Sequence, residues 1–290
     1  LQEAGYPVEI ITRDLPPNLT SAVAGAVWYG HGGQPRVRRW AEDSLTHYLR
    51  LASDVSSGVL IRRLREVFVE AAETPWFAPR LPFFARLPAA KLPRGFSDGF
   101  LMDVPIIETS TYLQWLQVHF IDQGGQITQR EIKSLSEVNA PLLVNCTGVW
   151  ARHVANDETV YPLRGQVVKI HAPQIQQGYM DDHNFTYIFP RRDGVILGGI
   201  AQVDNWSLAV DEDLKDDILA RCAEIEPSVR SAPILADLVG LRPGRYEVRL
   251  ECVRGSQQTV IHNYGHAGVG VTLSWGCARE VVELARQVTD

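Results

Sequence analysis

A guanidinium held rigid can grip a carboxylate, and Arg242 is placed for this: in Gly240-Leu-Arg-Pro-Gly-Arg245 it follows an apolar run and precedes a proline. It could also pair with an acid inside the core. Tyr187, in Phe185-Thr-Tyr-Ile-Phe-Pro190, lies on an alternating run that buries its ring, with the hydroxyl either satisfied locally or offered to a ligand. A third feature is the stretch Val260 to Gly276, VIHNYGHAGVGVTLSWG, which passes from a short strand through Gly265, Gly268 and Gly270 into an apolar-periodic segment reaching Val288. The first N–H groups of a helix lack intrahelical partners and carry partial positive charge, and glycine lets a flat or anionic ligand come close to the backbone. Taken alone, the stretch reads either as a tight strand-to-helix turn or as a cofactor site. Gly268-Val-Gly270 lacks the third glycine of the dinucleotide fingerprint.

Other chemistries find less support. HExxH is absent, and the HxxxH pair His262 and His266 straddles a glycine turn with no carboxylate in register, so no metal site is expected. Gly30-His-Gly-Gly33 resembles an oxyanion loop, but no GxSxG nucleophile accompanies it. A net charge of −6 and the lack of a dense basic run argue against nucleic acid; Arg36 to Arg39 reads as a solvated helix face. No run of about eighteen apolar residues and no signal-peptide pattern occurs. The cysteines, Cys146, Cys222, Cys252 and Cys277, are scattered, which fits reduced thiols and a cytoplasmic location.

These groups must be positioned by a mixed α and β chain. At 290 residues it can hold two cores. Val8 to Thr12 reads as a buried strand ending in Arg13-Asp14, like the second strand of a Rossmann-like unit, whose acidic tip takes ribose hydroxyls; the first strand and its glycine-rich loop are expected upstream of Leu1. A helix is expected from Arg38 to Leu51, a strand from Gly58 to Val69, and irregular loops from Thr74 to Gly95, which is rich in proline and aromatics. Ser110 or Thr111 is read as the cap of a helix through Phe120, and Asp211 as the cap of one through Ile225. Strands are expected over Ile127–Ile132, Leu142–Asn145, Gln166–Ile170, Thr186–Phe189, Val195–Ile200 and Glu247–Val253, with Gln174 to Asn184 a loop.

Taken together, the chain resembles the D-amino acid oxidase family of flavoenzymes, which includes D-aspartate oxidase. The resemblance rests on blocks in order along nearly the whole sequence: Ala24-Gly-Ala-Val-Trp28, Tyr112-Leu-Gln-Trp115, Val144-Asn-Cys-Thr-Gly-Val-Trp-Ala151, Arg164-Gly-Gln166, Leu197-Gly-Gly199, Asn205-Trp206, Gly240-Leu-Arg-Pro243, His262-Asn-Tyr-Gly-His266 and Trp275-Gly-Cys277. It implies an α/β chain, α+β overall, with a Rossmann-like FAD-binding domain (residues 1–56, 106–160 and 256–290) interleaved with an antiparallel-sheet substrate domain (residues 57–105 and 161–255). By the same resemblance Arg13 or Asp14 meets the adenosine ribose, and Thr20, Ser21 and the backbone of Gly25, Ala26 and Val27 lie along the cofactor. Ile132 meets the adenine, and Thr147 and Gly148 border the pyrophosphate. Ala267, Gly268, Val269, Gly270, Val271 and Thr272 contact the flavin ring, where the helix start would stabilise negative charge on reduction.

On the substrate side the resemblance makes Arg242 the carboxylate clamp, helped by the Tyr187 hydroxyl, with the Gly268 carbonyl accepting from the amine. Hydride would pass from the α-carbon to flavin N5, giving a 2-oxo acid, ammonia and hydrogen peroxide, with positioning doing most of the catalysis. His183 stands where animal members carry a second lid tyrosine, and Tyr29 where glutamine is common. Asp181 and Asp182 in the short lid would repel an acidic side chain, so neutral or basic D-amino acids are expected over D-aspartate. The expected partners are the D-amino acid and dioxygen, without nucleic acid or membrane, and a homodimer is the expected assembly. Alternatives are a related oxidase of glycine or N-methyl amino acids, a D-aspartate oxidase, and a non-catalytic binding protein of the same fold.

Overall fold

The computed structural model describes every residue except Gly32, Asp182, Gln257 and Asp290. In chain order come β1 (Glu9–Thr12), a 3-10 turn at Thr20–Val23, α1 (Pro35–Leu51), β2 (Val59–Phe68), β3 (Phe84–Arg86), β4 (Asp98–Ile107), α2 (Thr109–Asp122), β5 (Gln126–Gln129), β6 (Leu142–Asn145), α3 (Ala151–Val154) and β7 (Tyr161–Ile170). They are followed by β8 (Gly178–Asp181), β9 (Thr186–Arg191), β10 (Gly194–Gly198), β11 (Gln202–Val203), α4 (Glu212–Ile225), β12 (Ile234–Gly244), β13 (Arg249–Arg254), β14 (Thr259–Tyr264), a 3-10 turn at Ala267–Val269 and α5 (Gly270–Thr289).

The strands form three sheets. β1 pairs in parallel with β5, and β14 pairs in parallel with β6 and antiparallel with β13. The nine-stranded sheet runs β11-β7-β10-β9-β8-β2-β4-β3 with β12 on the other edge of β7; its pairings are antiparallel except that of β2 with β8. β10 and β11 pair with successive stretches of one edge of β7, and residues 199–201 between them leave the ladder.

Burial follows strand parity. One face of the large sheet presents Leu64, Met102, Val167, Met180 and Phe189 to a core shared with Trp40, Leu45 and Tyr48 of α1 and Leu273, Cys277 and Val281 of α5. The opposite face presents Val67, Val168, Tyr179, Ile188 and Leu197 to Ile218, Cys222 and Ala223 of α4. Each large side chain so buried contributes about 1.5–3 kcal/mol. α1 reads as a helix because Pro35 occupies its first turn and Trp40, Ala41, Ser44, Leu45 and Tyr48 recur on one buried face. Glu280 of α5 locks the two helices, accepting from Trp40 Nε1 at 2.6 Å, Arg36 Nε at 2.9 Å and Arg39 Nη2 at 2.7 Å.

Several expectations are corrected. The lid is not a free loop: β8 occupies its middle, pairing with β2 and β9. Four buried residues cannot leave their backbone groups unpaired, and the sheet supplies the partners. α2 starts at Thr109, ahead of both expected caps, and Ser110 instead donates to Asp193 Oδ2 at 2.9 Å. β5 ends at Gln129, so Ile132 lies beyond it. β4 and β12 were not legible; β12 contains two glycines and Pro243, residues that read as breakers but are tolerated on an edge strand. The Asp211 cap is as expected, its carboxylate accepting from Leu214 N at 3.1 Å.

Candidate active site

Arg242 is set on β12 opposite Leu163 of β7, with Gly240 opposite Gly165. Gly165 therefore shares the face of Arg242, and the arginine side chain crosses β7 over it: a Cβ built on Gly165 would stand 2.5 Å from the guanidinium carbon. On the far edge of β7 Arg242 Nη1 donates to the Ile200 carbonyl at 3.0 Å, an oxygen freed because residues 199–201 leave the ladder. The head is thus fixed across a strand and does not wave in solvent. Gly268 lies beside its stem, since a Cβ built there would be 3.8 Å from Arg242 Cδ.

Tyr187 of β9 faces the same place. Its ring lies on Gly198 and Gly199, where added Cβ atoms would come to 2.1 Å and 2.5 Å from the ring, and it stacks on Phe189 at 4.6 Å. Burial raises the phenol above its usual pKa, while the charge of Arg242 and the hydrogen bond between the two side chains pull it down less strongly. The hydroxyl accepts from arginine, which has only donors, and so keeps its own proton to donate. Two side-chain donors converge here.

The segment 24–29 forms another wall. Gly25 abuts Tyr187 and Phe189, Val27 bridges to Ile106, and the Tyr29 amide donates to Thr272 Oγ1 in the first turn of α5 at 3.3 Å. Arg191, a residue sequence reasoning missed, holds this segment from behind: it donates to the carbonyls of Ala24 and Gly25, the latter at 2.6 Å, and to Thr109 Oγ1 at 3.2 Å. Burial pushes its pKa down to about 10 against the opposing charges of Asp193 and Glu108. Its signal was weak, an arginine at a strand end. Glu66 was missed too; its carboxylate is wholly buried and accepts from the Tyr29 hydroxyl at 3.0 Å. Strand parity could have found it, because Glu66 lies between Leu64 and Phe68 on one face of β2.

Other expected residues lie apart from this cluster. His183 is on the exposed β8–β9 turn, lining a cavity with Val67 to Ala72. Asp181 points to the α4 face of the sheet and caps that turn, accepting from His183 N at 3.0 Å and Asn184 Nδ2 at 2.7 Å. It is buried and occupied there, so repulsion of acidic substrates cannot be assigned to it. Asp182 and Gly32 lie outside the described residues. Arg13 and Asp14 pair with each other at 2.6 Å, and the Arg13 head lies over the Trp150 ring at 4.7 Å. Thr20 and Ser21 are exposed on a turn packed on Gly240.

The residues toward the small sheets fit a flavin dinucleotide. β6 and β14 run in parallel, and Asn145 and His262 stand opposite at their carboxyl ends, the edge where α/β sheets bind ligands. Asn145 Oδ1 fastens the next turn through Thr147 N at 3.1 Å and Thr147 Oγ1 at 2.7 Å. Gly148 then takes φ +59°, and a Cβ there would meet nothing within 4 Å, leaving room for a group against the backbone. After β14, Ala267 takes φ +45° and the chain enters α5 through a 3-10 turn, the kind of helix start whose leading N–H groups lack intrahelical partners. His266 Nε2 is sealed from solvent with no partner among the described residues, and burial pushes the ring down to about 4. The unpartnered ring nitrogen and the open backbone at Gly148 leave polar groups and space for a cofactor on this side. Among the described residues no group of three His, Cys, Asp or Glu could hold a metal ion, and no helix is long and apolar enough to cross a membrane.

Residues 1–284 match the family model described as FAD dependent oxidoreductase, and the chain belongs to that family. It is 40% identical to a D-amino-acid oxidase of Rubrobacter xylanophilus, covering 98% of this chain and 90% of that protein. It is 38% identical to a D-amino-acid oxidase of Streptomyces coelicolor, over 98% of this chain and 91% of that one. Among solved structures, glycine oxidase from Geobacillus kaustophilus superposes with a TM-score of 0.82 at 16% identity, over 99% of this chain and 90% of that one, a likeness of fold.

Proposed function

We propose that the protein oxidises D-amino acids with dioxygen to 2-oxo acids, ammonia and hydrogen peroxide. The observation that carries this reading is the fixed Arg242 head beside the Tyr187 hydroxyl and Gly268. It is supported by the relatives at 38–40% identity over nearly the whole chain, whose names give that activity. FAD, when bound, supplies the two-electron acceptor for the α-hydrogen and hands the electrons to oxygen.

The chain's own residues then orient. Arg242 and Tyr187 take the carboxylate through charge-assisted hydrogen bonds, and the Gly268 carbonyl takes an amine N–H. With these two groups fixed, only one enantiomer turns its α-hydrogen toward the start of α5, where Ala267 to Thr272 would border the flavin. The amine gives up its proton before the α-hydrogen departs with its electron pair, and water hydrolyses the resulting imino acid. Thr147 and Gly148 would hold the pyrophosphate. In this reading residues 57–105 and most of 161–255 shape the substrate side, and 1–56, 106–160 and 256–290 the cofactor side, with β13 joining the latter through its pairing with β14. Homodimer assembly and a cytoplasmic location belong to the same proposal.

The test is spectroscopic. The purified protein is expected to be yellow, to bleach under anaerobic D-alanine but not L-alanine, and to yield peroxide when air is admitted. Oxidation of glycine without D-alanine would replace the reading with a glycine oxidase, and a colourless protein after addition of FAD would remove the oxidase reading altogether.

A further inference from the structure

The register of the large sheet places one carboxylate in line with the clamp. Glu66 of β2 is the partner of Met180 on β8, Met180 is the partner of Tyr187 on β9, and Tyr187 is the partner of Gly198 on β10. Directly paired residues project from the same face, so Glu66, Met180 and Tyr187 form one row. With strands about 4.8 Å apart, Glu66 stands ~10 Å along that row from Tyr187. The segment 24–29 runs alongside: Gly25 touches Tyr187 at one end, and the Tyr29 hydroxyl meets Glu66 Oε2 at 3.0 Å at the other. Tyr29 is pinned to Thr272 of α5, which ties this end of the row to the side proposed above for the flavin.

We propose that Glu66 selects the substrate side chain, favouring D-amino acids whose long aliphatic stem ends in a cation. This rests on the reading of the site as one that oxidises D-amino acids. From a carboxylate held at Tyr187 and Arg242, the side chain extends along the row, over Met180, whose flexible thioether suits an aliphatic stem. It then reaches Glu66, a fully buried carboxylate on which an ammonium or guanidinium makes a charge-assisted hydrogen bond. Phe77 and His31 flank Tyr29 with ring centroids 5.1 Å and 5.0 Å away, giving the end of the row an aromatic rim that a cation tolerates. An acidic side chain long enough to reach the end of the row would meet a like charge there. The net charge of −6 draws cationic substrates in the same direction.

The experiment compares D-lysine with D-norleucine, which shares the stem but lacks the ammonium, on the FAD-loaded full chain. The wild-type kcat/KM ratio is expected to favour D-lysine. Glu66→Gln should lower that ratio about 10- to 100-fold, the range for a hydrogen bond to a charged group, and Glu66→Asp, with its charge withdrawn by one methylene, should lower it less. A second readout needs no turnover: 6-aminohexanoate, which carries no α-amine, should bind the wild type at least tenfold more tightly than hexanoate by calorimetry, and this decides the matter even where Glu66→Gln does not fold. A ratio moved less than threefold in a folded Glu66→Gln protein, or equal affinities of the two acids for the wild type, overturns the role of Glu66 while leaving D-norleucine oxidation intact. A wild type that oxidises neither amino acid overturns the D-amino acid reading itself, and this inference with it.

Discussion

Gly165→Ala tests the clamp without replacing any charged or hydrogen-bonding side chain. A Cβ at residue 165 would lie 2.5 Å from Arg242 Cζ and Nη2 and 2.6 Å from Nη1, whereas ordinary contact begins near 3.4 Å, so the guanidinium must retreat by the difference, 0.9 Å. The flexible head can move that far, and alanine is no worse than glycine in a paired strand, so the fold should survive with Tm within about 2 °C of wild type. Catalysis should not. A misplacement of about 1 Å in a positioning group costs up to ~100-fold, so kcat/KM for D-alanine is expected to fall about 30- to 100-fold, mostly through KM because the carboxylate is gripped in ground and transition states alike. The assay is peroxide production coupled to a peroxidase over a substrate series. Combined with Arg242→Leu, the glycine change should add nothing, since the head it displaces is gone. A folded Gly165→Ala protein with kcat/KM within threefold of wild type would refute the idea that the head over Gly165 grips the substrate.

Arg242→Leu alone should raise KM by about 30- to 5,000-fold, the 2–5 kcal/mol that follows removal of one partner of a buried charge pair, and unchanged steady-state kinetics would take Arg242 out of the site. For Asp157, burial alone would raise the carboxyl, but hydrogen bonds from Thr159 and Tyr264 and the charge of Arg245 outweigh it and hold the group at about 2. A depressed folded-state pKa contributes stability above the unfolded value near 4 that is lost as pH falls through about 2, so Asp157→Asn should cost roughly 2 kcal/mol at pH 7, and urea titrations should show the gap to wild type closing between about pH 4 and 2. Glu280 is likewise held below its usual range: burial opposes this, and hydrogen bonds from Arg36 and Trp40 and the charge of Arg36 prevail. Because Arg36 and Arg39 are half exposed, Glu280→Gln should cost only about 1–2 kcal/mol, seen as a lower urea midpoint at unchanged slope.

The sequence by itself determined the elements whose signals are local. Asp211 announces α4 because an N-cap is made within one turn, and Leu142–Asn145 reads as a strand because four residues suffice to show it. The run from Val260 into α5 was legible for the same reason, and so were the residue types of the clamp. What the sequence left open was where Arg242 and Tyr187 point, since a guanidinium may serve a core acid as well as a ligand. That was decided by pairings between residues far apart in the chain: Gly165 brought beside Gly240, Ile200 freed from the ladder, and Tyr187 laid on Gly198 and Gly199. Tertiary pairing also drew the expected lid into the sheet as β8, turned Asp181 away from the clamp, and set Glu66 in its row. A strand's neighbours are chosen by register across the sheet, and register is a property of two or more segments that no single stretch of sequence contains.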